Sequence, residues 1–205
     1  EESITPKAKT KLTVGVDVGI KDVAVLSDGF HSGAPKYTYQ YARKLKLAQR
    51  SLSRKKKGSN RYKKQRIAVA RIHAKIANCR KDFLHKLSHK LVNEFDMISM
   101  EALNVKGMVK NRKLSKAVSD VGMFELKRQV QYKAAWHGKR VIEIGRFFPS
   151  TKMCCKCGQI HDMKLSDRWM SCDCGNEMDR DENAARNIEA EGNRLCVELD
   201  TNLSV

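Results

Sequence analysis

Asp17 in VGVDVGIKD, Glu101 in MISMEALNV and Asp181 in DRDENAARNI are the residues whose type and setting suit metal chemistry, and they stand 84 and 80 residues apart. Acids so distant in sequence meet only where a fold gathers strand ends and a helix start at one place. Gathered, they offer hard oxygen ligands to cations of the Mg²⁺ type. Two-metal hydrolysis of a phosphodiester needs carboxylates that bridge two cations ~4 Å apart, one activating water and one stabilising the leaving oxygen. Each acid also has an ordinary reading. Asp17 suits a tight turn, Glu101 suits the solvent-facing end of an edge strand, and Asp181 suits a helix N-cap, with Asp179 competing for either role.

A second constellation is made of sulfur. The run Cys154-Cys155-Lys156-Cys157-Gly158 is followed by Cys172-Asp173-Cys174-Gly175, with 14 residues between Cys157 and Cys172. Two thiolate pairs at that spacing match a structural Zn²⁺ ribbon, with Cys154, Cys157, Cys172 and Cys174 closing a tetrahedron. The second pair has one intervening residue rather than two, so Cys155 or His161 could substitute as a ligand. A closed thiolate site leaves no open position for a substrate, which gives the zinc a scaffolding role. Seven cysteines is an odd number, and clustering without a secretory signal favours metal over disulfides. Cys79, Cys155 and Cys196 read as reduced thiols. His85 and His89, one helical turn apart, lack a third ligand nearby and read as helix-packing or RNA-facing residues.

The formal charge of +18 is concentrated: Arg43 to Lys90 holds 18 Lys/Arg against one acid, Asp82. Outside that block the chain is close to neutral. Such density draws a polyanion and releases its counterions, so binding should weaken steeply with salt. Arg54, Lys55, Lys56, Lys57, Arg61, Lys63, Lys64 and Arg66 are the candidate phosphate contacts. Aromatics are few in this block (Tyr62 and Phe83), which favours tracking of a backbone over stacking of bases. An acidic site inside a basic protein makes sense if metal ions reverse its local charge.

The 205 residues suffice for one sizeable domain with a small module. No apolar run approaches the ~20 residues of a membrane span. The opening EESITPKAKTKL has no apolar signal region and no initiator Met, so the chain is expected to be part of something longer.

The elements that must position these residues follow from periodicity. Residues 12–28 predict two strands, with Val14, Val16 and Val18 on one face and Asp17 on the other between Gly15 and Gly19, an arrangement that leaves room for a bulky ligand. Residues 30–38 could hold a third strand. Residues 39–95 predict a long basic helical hairpin interrupted by KKKGSN, its second arm apolar at Ile72, Ile76, Phe83, Leu84, Leu87, Leu91 and Phe95. Met97 to Met100 predicts a short strand with Glu101 just past its end. Residues 115–137 predict one amphipathic helix, RVIEIG a strand, and Asp181 to Ala190 a last helix stopped by Gly192. In Trp169, packing within the ribbon is favoured over base stacking. The order of elements suggests an α/β fold with a mixed sheet flanked by helices, compatible with an RNase H-like topology among others.

The segments GVDVGIKDVAVLSDG, SRKKKGSNRYKKQR…KIANCRKDFLHKLSHKLV, MEALNVKGMVKNRKLSKAVSD, RFFPSTKMCCKCG, LSDRWMSCDCG and DRDENAARNI resemble, in order, the TnpB family of transposon-encoded nucleases related to type V CRISPR effectors. The resemblance runs from about Leu12 to about Ile188. It implies a RuvC (RNase H-like) nuclease half carrying an inserted zinc ribbon, with Asp17, Glu101 and Asp181 as the motif acids. It further implies a monomeric nuclease of the prokaryotic cytoplasm that is guided by RNA, cuts target DNA with two Mg²⁺ ions, and has an upstream wedge and recognition region. On this reading residues 1–146 are the first part of the nuclease core, 147–178 the ribbon, 179–192 the last RuvC segment and 193–205 a tail. Arg168, in LSDRW, is the candidate to hold the scissile phosphate bidentately, against the alternative of ribbon surface charge. The rival class is a nucleic-acid-binding protein that does not cleave, and the discriminator is whether the three acids converge within the distance at which they could share a metal. A guide-independent junction resolvase is the third reading, disfavoured by the ribbon and the basic hairpin.

Overall fold

A computed structural model describes residues 6–164 and 166–202. Its centre is a four-stranded sheet in the order β2-β1-β3-β4. Strand β1 (Thr13–Asp17) pairs antiparallel with β2 (Val25–Leu26) and parallel with β3 (Met97–Glu101), which pairs parallel with β4 (Arg140–Ile144). The mixed sheet expected from the order of elements is therefore present. The possible third strand at 30–38 reduces to a single bridge between Val25 and His31.

Helices cover both faces. On one, Val14, Val16, Ile98 and Met100 form a continuous core with Leu84, Leu91, Leu126 and Val130. The last four come from α3 (Asn60–Glu94) and α6 (Met123–Trp136). The other face is covered by α7 (Arg180–Asn202), through the fully buried Ala184, Ala185 and Ile188. No helix among the described residues is long and apolar enough to cross a membrane.

The basic hairpin consists of α2 (Ala42–Ser53) and α3, preceded by the single turn α1 (Tyr37–Gln40). Ser59 caps α3 by accepting the Tyr62 amide at 3.1 Å, the hydroxyl N-cap expected where a loop enters a helix. The two arms are joined where Gln65 donates to the Ala48 carbonyl at 3.1 Å. Buried residues of α3 begin only at Ile72, and α2 buries none. The root of the hairpin thus lies in the core while its tip stands clear.

Glycine accounts for the largest departures from the periodicity reading. The helix expected over 115–137 is two, α5 (Ser115–Val121) and α6, separated by Gly122 at φ 73°. That left-handed turn is open to glycine without steric cost, and apolar residues on both sides disguise it. A further helix, α4 (Val105–Lys110), precedes them. Gly192 does not stop the last helix, which continues to Asn202. A Cβ at Gly192 would lie 1.8 Å from Ser99 Oγ, and one at Gly15 would lie 1.9 Å from the Ala185 carbonyl oxygen. These two glycines let α7 and the sheet approach each other, and the room beside Asp17 that suggested a ligand is filled at Gly15 by the helix. Gly192→Ala makes the point testable. Alanine raises helix propensity by about 1 kcal/mol in an ordinary helix interior, but here overpacking should make the change a net loss of roughly 1–3 kcal/mol in denaturant unfolding.

Candidate functional site

The parallel register of β1 and β3 pairs Val16 with Met100. Asp17 and Glu101 are the next residues along, so they end adjacent strands side by side. Gly15 and Ser99, on the same face of the pleat, meet α7, and the first turn of that helix carries Asp181 over the same sheet end. The three acids, scattered in sequence, are gathered at one place.

Their electrostatics report the gathering. Burial, with the charges of Glu101 and Asp181 adding to it, pushes the Asp17 carboxyl up to about 7, while Arg180 works in the opposite direction. Burial also raises Glu101, opposed by a hydrogen bond from Ser150. Like-charged carboxylates in a partly desolvated site resist ionising together, and a divalent cation relieves that conflict. The donor set is entirely hard oxygen, which fits Mg²⁺.

Asp179 and Asp181 play different structural parts. Asp179, the last residue of β6 (Asn176–Asp179), accepts the Asp181 amide at 2.8 Å and the Glu182 amide at 3.3 Å. It is the N-cap of α7. Asp181 is thereby relieved of capping, and its carboxylate accepts from Arg180 Nη2 at 3.0 Å. The guanidinium among the acids belongs to Arg180. Arg168 stands exposed just before β5 (Trp169–Cys172), where its carbonyl accepts the Arg180 amide at 3.0 Å.

Cys154, Cys157, Cys172 and Cys174 bring their sulfurs within 4.8 Å of one another. The Cys154–Cys174 and Cys157–Cys172 sulfur separations are 3.6 and 3.5 Å, near the ~3.8 Å edge of a tetrahedron with Zn–S bonds of ~2.3 Å. The short second pair does not prevent closure. Cys155 instead lies against Met178 at 3.6 Å, and His161 is outside the cluster, as are His85 and His89. Burial opposes ionising Cys154, but hydrogen bonds from the Cys157 and Lys156 amides and from the Cys174 and Cys157 thiols outweigh it and bring the group down to about 6. Asn176 Nδ2 also donates to its sulfur at 3.4 Å. These features fit a thiolate site for Zn²⁺. Trp169 departs from expectation: it is 58% exposed, because alternate residues Met170 and Cys172 take the inner face of β5.

The ribbon and the acids are bound together by polar side chains that periodicity does not reveal. Ser150 donates to Glu101. Asn187 donates to the Ser150 and Met153 carbonyls at 2.8 and 2.6 Å, and Asn183 to the Met153 carbonyl at 2.7 Å. Asn183 also accepts the Cys155 amide at 3.0 Å. The spacing of the two asparagines, one turn apart on α7, was the available signal for them.

Of the candidate phosphate contacts, Arg54, Lys56, Lys57, Arg61, Lys63, Lys64 and Arg66 are exposed and Lys55 is partly so. They occupy the free tip of the α2–α3 hairpin.

Residues 1–112 match the family model OrfB_IS605, described as "Probable transposase". The chain belongs to the TnpB transposase family. Residues 124–188, which include the cysteine module, match a second model, described as "Cas12f1-like, TNB domain". Two curated TnpB-family relatives are named "Putative RNA-guided DNA endonuclease": one from Streptomyces pristinaespiralis, 46% identical over 94% of this chain and 48% of its own length, and InsQ from Escherichia coli K12, 34% identical over 97% and 54%. The chain spans about half the length of these relatives. Among solved structures, a Cas12f1–sgRNA–target DNA complex shares the fold with a TM-score of 0.61 at 17% identity, over 86% of this chain and 49% of that one. A CRISPR-Cas12f ternary complex gives 0.63 at 18% identity, over 92% and 40%.

Proposed function

We propose that the chain is the RuvC-type, RNase H-like nuclease half of an RNA-guided DNA endonuclease. The observation that carries the reading is the meeting of Asp17, Glu101 and Asp181 at one sheet end, where burial and the charges of the other two acids raise the cost of ionising Asp17. Its membership of the TnpB family and the names of its relatives support the same reading.

On this proposal the three acids hold two Mg²⁺ ions, which when bound would supply an activated water and shield the leaving oxygen. Asp17 and Glu101 are fixed by adjacent strand ends, and Asp181 by the capped start of α7. Arg180 balances the site's charge, and Arg168 is left to meet the scissile phosphate from the ribbon. Residues 1–146 and 179–192 form the nuclease core, residues 147–178 the ribbon with one structural Zn²⁺, and α7 carries the segment 193–202 onward as helix. The exposed hairpin tip tracks the phosphates of a guide RNA or guide–target duplex by shape and charge, in a monomer working in the prokaryotic cytoplasm.

The test uses the full-length protein with the RNA that co-purifies with it and a matching DNA. Cleavage should need added Mg²⁺, and Glu101→Gln should abolish cutting while leaving the dissociation constant for guided DNA within about threefold. DNA cut equally well in excess chelator would sink the metal mechanism. A Glu101→Gln protein that still cut would remove this acid from it.

A further inference from the structure

Beside the acids lies a cavity of about 370 Å³ that the proposed chemistry leaves unused. Glu101 forms one wall, the floor is apolar at Val18 and Met123, and Lys106 and Arg128 stand at the rim with Phe124. Its size falls in the range of ligand sites, about 300–1,000 Å³.

Phe124 is the unexplained residue. It is 66% exposed, although its neighbours on α6, Met123 and Leu126, are buried in the core. Its ring adds little to the packing of the fold. Arg128, by contrast, is fixed: it makes two 2.8 Å contacts with Glu125 and lies 5.4 Å from the centre of the Tyr132 ring. Lys106 is exposed and has no ion pair among the described residues. The cavity therefore combines an uncovered aromatic face, an apolar lining and an exposed cation without an ion pair among the described residues, immediately next to a carboxylate that ends β3.

We infer that this cavity is a nucleotide subsite, in which Phe124 stacks on the base beside the scissile phosphate of a DNA strand and Lys106 meets the neighbouring phosphate. The inference rests on the nuclease reading for its reference to a scissile bond. The physical grounds are complementarity: a base has an apolar π-face and an anionic linker, and the cavity offers an apolar slot with cations at its mouth. Base–aromatic stacking tolerates any sequence because every base has such a face. Phe124 is a positioning residue here, holding the strand so that its backbone runs past Glu101.

A short single strand carrying one 5-iododeoxyuridine tests this by near-ultraviolet cross-linking to the chain with Ca²⁺ in place of Mg²⁺, followed by mass mapping of the modified peptide. Cross-links should map to Phe124, and Phe124→Ala should weaken binding of the same strand about fivefold or more, with Phe124→Trp restoring it. In a cleavage assay, the Ala variant should raise KM more than it lowers kcat. Cross-links confined to Trp169 or Phe147, or unchanged affinity in the Ala variant, would overturn the subsite. A matching RNA strand run in parallel separates the sources of the base: cross-linking of Phe124 by RNA alone would overturn the assignment to DNA. Because the cross-link is read without hydrolysis, a protein that binds at Phe124 but never cuts would refute the nuclease reading and leave the subsite standing.

Discussion

Asp17→Asn should abolish DNA cleavage and, in the metal-free protein at pH 8, make the fold more stable. The two effects have one cause. Burial and the charges of Glu101 and Asp181 lift the Asp17 carboxyl to about 7, far above an ordinary carboxylate. The folded state therefore holds a proton that the unfolded chain has released over the window between about pH 4 and 7. Folding stability falls as pH rises through that window, and above it the wild type bears the whole cost of a buried charge beside two others. This cost is roughly 2–4 kcal/mol by linkage. Asparagine keeps the shape without the charge, so its advantage should be full at pH 8 and fade as pH approaches 4. Added Mg²⁺ should reverse the order, stabilising the wild type and leaving the variant nearly unmoved. For activity, losing a ligand to a catalytic metal removes several kcal/mol of transition-state stabilisation, roughly a thousandfold or more in rate. Thermal unfolding at pH 5 and pH 8, with Mg²⁺ or chelator, checks the stability arm. A destabilised metal-free variant at pH 8 would show that Asp17 is not held in conflict with its neighbours.

The second large effect belongs to the ribbon. Its sheet has only two strands, β5 and β6, too little to stand without support. Structural zinc in small thiolate modules contributes on the order of 10 kcal/mol to folding. Stripping the metal with a strong chelator, or Cys172→Ser, should unfold residues 150–179 as judged by hydrogen exchange. The loss should reach the acids, because β6 leads directly into the capped start of α7 and Ser150 donates to Glu101. Cleavage should fail even with Mg²⁺ in excess. The helical signal should change little, since α3 alone has 35 residues rooted elsewhere. A Cys172→Ser protein that keeps one equivalent of zinc and cuts normally would contradict the ligand assignment.

The parts legible in the sequence are those governed by local pattern. Valine alternation gave β1, the basic and apolar stripes gave the hairpin, and cysteine spacing gave the sulfur cluster. The acids were legible as candidates because each borders a regular element. What the pattern hid depends on contacts made across the fold. Gly192 and Gly122 look alike on paper, yet one lies against Ser99 inside a continuing helix and the other breaks a helix at positive φ. The choice between Asp179 and Asp181 needed the hydrogen bonds that make Asp179 the cap. Arg180 sits between them in DRD, but only the geometry shows that its guanidinium, rather than that of Arg168, pairs with an acid of the site.

The long helix α3 carries a further consequence. Its C-terminal half is held by Leu84, Leu87, Leu91 and Val92, while no residue before Ile72 is buried. Stability along a structure follows buried apolar contact, so segments without it open at low free-energy cost. One uninterrupted helix must then contain two opening regimes. Amides near Lys63 should exchange by fraying of the tip, and those near Leu91 only when the whole domain opens. The eight basic residues at the tip steepen that gradient, because their mutual repulsion opposes the helix there until salt or a polyanion screens it. On the proposed function, a guide RNA or guide–target duplex laid along the tip should slow exchange of the amides near Lys63 and leave those near Leu91 unmoved.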